Sequence, residues 1–84
     1  MTKHIENEAV WELLWDSLDG GDYDLEALKT QVHEGSRFVE DMEVDSLDLV
    51  EFYLRVEDHF EVKIPEEKYP ELLSVEDVSH FLEA

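Results

Sequence analysis

The sequence contains no cysteine, three glycines and two prolines in 84 residues, and it sets 6 lysines and arginines against 24 aspartates and glutamates. Each shortage excludes something. Without cysteine there is no disulfide framework, no thiolate metal site and no cysteine nucleophile, so any thiol chemistry must come from an attached group. The formal charge of −18 repels phosphate backbones and anionic lipid. Nucleic acid is therefore disfavoured, and basic protein surfaces become the natural partners. No apolar run approaches the roughly 20 residues of a membrane span, and the N-terminus lacks a signal-peptide core, so no membrane insertion and a cytoplasmic location are expected. The four histidines lack paired ligand spacing, and Asp41, Glu43, Asp45 and Asp48 lack the central glycine of a calcium loop, so no metal site is expected.

What is present argues for a folded domain. Hydrophobic residues make up 43% of the chain and aromatics 11%, well above the composition of disordered acidic tails. The length allows one small domain, 1–84, expected as a monomer. The patterning is helical throughout: the expected fold is all-α, a small four-helix bundle of three main helices and one short one, with a long first loop.

The first helix is expected over 3–18, with Ile5, Ala9, Leu13 or Trp11, Leu14 and Leu18 near helical spacing, ended by Gly20-Gly21. Trp11 and Trp15, four apart, share a side and suit the edge of the core or a partner surface. The connection over 19–44 is long, with Leu25, Leu28 and Val32 able to anchor a short helical turn, Gly35-Ser36 forming a turn, and Phe38 and Val39 able to tuck beneath the next helix. That central helix runs from Asp45-Ser46 to Phe60 and carries two apolar stripes. Leu49, Phe52, Tyr53, Val56 and Phe60 form a core face. Leu47, Val50 and Leu54 form a second line inside an acidic field, which reads as a contact surface. After Ile64-Pro65 only a short helix fits over 66–72, where Pro70 demands a break or a first-turn position. Ser74 then caps a last helix bearing Val75, Val78, Phe81 and Leu82.

Asp45 and Ser46 are both good N-cap residues, so their ordinary role is to satisfy the first amides of the central helix. A catalytic serine is a poor alternative: His59 lies several turns away on the same helix, and no motif brings another histidine to Ser46.

Asp45-Ser46-Leu47, the acidic amphipathic helix after it and Val62-Lys63-Ile64-Pro65-Glu66-Glu67 together resemble the acyl carrier proteins, as does Phe38-Val39-Glu40-Asp41 upstream; the likeness covers about 36–82. The resemblance implies that Ser46 is the attachment point of 4′-phosphopantetheine, flanked by Asp45 and Leu47, and that the arm's thiol carries acyl groups as thioesters. It implies further that Asp48, Glu51, Leu54, Glu57, Asp58 and Glu66 join Asp45 and Leu47 in facing basic patches on partner enzymes. Those partners would be a phosphopantetheinyl transferase and acyl-loading and acyl-processing enzymes of fatty-acid, polyketide or related lipid biosynthesis. The chain itself would be a carrier and not an enzyme. The thioester could be withdrawn into an apolar gap between the central and third helices, which Val56, Ile64 and Leu72 would line unless they serve simply as core. The chain departs from the family at Glu43-Val44, where many members have a glycine two before the motif, and at Tyr53, which is bulky for a core-facing position. The alternative of a different class is an unmodified acidic helical adaptor that binds other proteins.

Overall fold

The structure is a computed structural model and describes residues 7–83. It is all-α: α1 (Asn7–Leu18), α2 (Leu25–Gln31), α3 (Ser46–Phe60) and α4 (Val75–Glu83), with a 3₁₀ segment (Glu66–Glu71) between the last two. Among the described residues the only extended pairing is an isolated bridge between Arg37 and Ser74. The expected start of the first helix, with Ile5, lies outside the described residues.

Helix α1 packs against α3 and α4 through Val10, Leu14 and Leu18, all buried. Leu14 and Leu18 were expected there, whereas Ala9 and Leu13, expected with them, sit at the half-buried margins and Val10 takes the core position. Ala9 and Val10 are adjacent, and spacing alone could not choose between them. Gly20 (φ +88°) ends the helix in the left-handed region that glycine tolerates best. Trp11 and Trp15 stack face to face with centroids 5.2 Å apart, half-buried at the core's edge, and Lys29 Nζ from α2 sits 5.7 Å over the Trp15 ring.

The long connection is more ordered than one helical turn. Asp24 caps α2 by accepting from the Ala27 amide at 3.2 Å, and the His33–Ser36 turn closes on itself through the Ser36 hydroxyl and amide. Beyond it the chain is joined to the start of α4. Phe38 N–H donates to Leu73 O at 2.8 Å, and Glu76 N–H donates to Glu34 O at 2.9 Å. Phe38 is fully buried, edge-on to Phe52 at 5.4 Å. Val39, expected to tuck in beside it, is instead 55% exposed.

Helix α3 buries Phe52, Tyr53 and Val56, while Leu49 and Phe60 are half-buried. It ends at Glu61 (φ 53°, ψ 49°), whose amide bonds back to Glu57 O. The Glu57 carboxylate also accepts from the Ile64 amide, closing the turn into Pro65. Pro70 causes no break and sits outside the first turn, correcting that expectation. The segment is a 3₁₀ helix, whose i→i+3 bonds are readily limited to short runs and spare the chain an interior α-helical proline. Ser74 caps α4 as expected: its Oγ accepts from the Asp77 amide at 3.2 Å, and the Asp77 carboxylate reaches back to the Leu73 amide at 3.0 Å.

Candidate functional site

At the N-terminus of α3 the two capping candidates divide the work. Asp45 has extended backbone (φ −67°, ψ 144°) and its carboxylate accepts from the Leu47 amide at 2.9 Å, so it is the N-cap. Ser46 is the first helical residue, and its side chain is exposed. Among the described residues its hydroxyl has no hydrogen-bond partner and no histidine is bonded to it.

Tyr23 holds this corner in place. Its hydroxyl accepts from the Asp45 amide at 2.9 Å and donates to Asp48 Oδ2 at 2.7 Å, bridging the residues on either side of the Ser46-Leu47 pair. Partial burial raises the pKa of the phenol, with the Asp48 hydrogen bond acting in the same direction. Nothing local in the sequence signals this contact, because its partners lie 22 and 25 residues away. Immediately upstream, Glu43 takes a left-handed backbone (φ 56°) at the position where the resemblance led one to expect glycine.

Ser46 also lies on the lip of a groove of about 310 Å³, lined by Phe38, Val39, Leu49, Val50, Tyr53, Tyr69, Pro70, Leu72 and Leu73. Apart from the serine and the tyrosine hydroxyls its walls are apolar. Of the residues expected to line such a gap, only Leu72 does so. Val56 and Ile64 are buried core, beyond the groove. Tyr53 lines the groove: its hydroxyl donates to Leu72 O at 2.7 Å, and its ring centroid lies 4.5 Å from that of Tyr69.

The second stripe of α3 is exposed, Leu47 by 80% and Leu54 by 54%. Glu51 and Asp58 are exposed along the same line, Glu51 paired with Arg55 at 3.3 Å. Asp45 and Glu66 are exposed; Asp48 is half-buried against Tyr23, and Glu57 is half-buried with its carboxylate committed to the Ile64 amide. Val50 borders the groove. No cluster of three or more His, Asp or Glu able to hold a metal occurs among the described residues, and no helix among them is long and apolar enough to cross a membrane.

Residues 25–82 match the phosphopantetheine attachment site family. Over 54 residues the chain is 41% identical to an acyl carrier protein of Helicobacter hepaticus, covering 64% of this chain and 71% of that relative. It is 42% identical over 53 residues to an acyl carrier protein of Wolinella succinogenes, covering 63% and 70%. A Campylobacter curvus acyl carrier protein is 40% identical over 60 residues, covering 71% and 73%.

The chain belongs to the acyl carrier protein family. The acyl carrier region contains Ser46, the whole groove and α2 through most of α4. Helix α1 with its stacked tryptophans, and Tyr23, lie on the N-terminal side of it.

Proposed function

We propose that this chain is an acyl carrier, with Ser46 as the residue that receives 4′-phosphopantetheine, and that it presents acyl groups to separate enzymes of fatty-acid, polyketide or related lipid biosynthesis. The observation that carries this reading is an exposed, unbonded serine hydroxyl at the first position of α3, on the lip of an apolar groove. Asp45 does the capping that the serine would otherwise do, which leaves the oxygen free to react. In the attachment step Ser46 Oγ forms a bond to the pantetheine-side phosphorus of coenzyme A. The pyrophosphate P–O bond breaks, adenosine 3′,5′-bisphosphate leaves, and the hydroxyl proton passes to a base on the transferase. When bound, the arm supplies the thiol that this cysteine-free chain lacks, and that thiol carries acyl groups as thioesters.

The other residues serve recognition. Leu47 and Leu54 give apolar contacts within the acidic line of Asp45, Glu51 and Asp58, with Asp48, Glu57 and Glu66 adding negative charge nearby. Such a surface speeds encounter with basic patches and leaves the complexes short-lived.

Incubation with a phosphopantetheinyl transferase and coenzyme A, followed by intact-mass measurement, tests the reading. The expected result is a gain of one phosphopantetheine group, absent in Ser46→Ala. No gain, or a gain that persists in Ser46→Ala, would defeat it and leave the unmodified acidic adaptor.

A further inference from the structure

We infer that Tyr53 is the floor of the cargo groove and limits this carrier to acyl groups of short to medium length. The inference rests on the carrier reading and adds a specificity-determining residue to it. The groove begins at Ser46 and follows α3 past Leu49 and Val50 to Tyr53, two helical turns on, or about 10 Å of helix axis. The next core residue of α3, Val56, and Ile64 near it are buried and contribute nothing to the wall. Tyr53 is what separates them from the groove.

Its ring is held firmly. The hydroxyl donates to the Leu72 carbonyl at 2.7 Å, so turning the ring aside would break a buried hydrogen bond. The Tyr69 ring lies 4.5 Å from it and the Phe52 ring 5.7 Å, centroid to centroid, so two aromatic neighbours pack against it. Thermal opening of this floor therefore requires Leu72, Tyr69 and Tyr53 to move together.

The size of the space sets the limit. At about 30 Å³ for each water-sized group, a groove of about 310 Å³ takes about ten non-hydrogen atoms. An octanoyl thioester has that many, counting its carbonyl oxygen and its sulfur. Longer chains would leave their outer methylenes in water or would have to displace Tyr53.

The test uses the intact protein, loaded at Ser46 from butyryl-, hexanoyl-, octanoyl-, dodecanoyl- and hexadecanoyl-coenzyme A by the transferase, with loading confirmed by mass and thermal unfolding as the readout. The midpoint is expected to rise with chain length up to octanoyl and then level off. Tyr53→Phe, which keeps the ring, should keep that break, and Tyr53→Val should move it to dodecanoyl or beyond. A midpoint that climbs steadily to hexadecanoyl in the unaltered protein, or a break that stays in place in Tyr53→Val, would overturn the inference. If Tyr53→Val does not fold, the position of the break in the unaltered protein decides, together with the ring-proton resonances of Tyr53. These should shift on loading with octanoyl, and an unmoved ring would overturn the inference. Failure of mass gain at Ser46 would overturn the carrier reading along with it, whereas loading without a length-dependent break would overturn the cargo limit alone.

Discussion

Arg37 binds Asp41 with its Nε at 3.2 Å, and its backbone amide reaches the same carboxylate oxygen at 2.8 Å. These hydrogen bonds, the side-chain one foremost, hold the Asp41 carboxyl below its ordinary value of 3.8. Because the folded pKa lies below the unfolded one, the pair stabilises the fold at pH above about 3.8, and that contribution is lost as pH falls through the lower folded value. An NMR titration should show Asp41 ionising at lower pH in the folded domain than in urea, with Arg37→Gln moving it back up. Identical midpoints in the two states would refute the assignment. The same scale shows what residue type cannot say. Asp45 and Ser46 are equally good caps on paper, and only the backbone geometry assigns the cap to the aspartate and leaves the serine exposed.

Among the elements, the joint between the α1–α2 connection and α3 is made by one phenol. Tyr23→Phe removes both of its hydrogen bonds and leaves the Asp45 amide and the Asp48 carboxylate to water. A loss of about 1 kcal/mol is expected, since these groups are partly solvated. Urea unfolding would measure it, and hydrogen exchange at the Asp45 amide should accelerate. Unchanged exchange there would mean the joint is held by something else. Helices α3 and α4 could be read from the sequence because apolar period and caps agree: Phe52, Tyr53 and Val56 on one side, and Ser74 with Asp77 at the other boundary. The second stripe was equally legible, as Leu47 and Leu54 fall among acids. Less could be read where tertiary contacts decide. Ala9 and Leu13 lie one position off the buried Val10 and Leu14, Val39 turns outward while its neighbour Phe38 turns in, and Tyr23 acts across 25 residues. Of the gap expected from Val56, Ile64 and Leu72 only Leu72 lines the groove, because periodicity along a helix does not show which core-facing residues a neighbouring segment covers.

For the molecule as a whole, charge dominates. With 24 acids and 6 bases the chain repels itself, and added salt should raise its melting temperature by shortening the reach of that repulsion to about 10 Å near 0.1 M. The same salt should slow turnover by basic partner enzymes. Glu51→Lys combined with Asp58→Lys should reproduce that slowing without unfolding the domain, because both side chains are exposed. Turnover insensitive to both salt and charge reversal would remove this face of α3 from the encounter.

The joining of Phe38 to Leu73 and of Glu34 to Glu76 bears on where the groove can open. It welds one bank of the channel to the root of the last helix, and the opposite bank is a continuous α-helix, so neither side yields easily. The stretch carrying Tyr69 and Pro70 hangs between Pro65 and Leu72 by looser, shorter-range bonds. Any widening of the groove is thus easiest along that stretch, where Tyr69 and Pro70 line it.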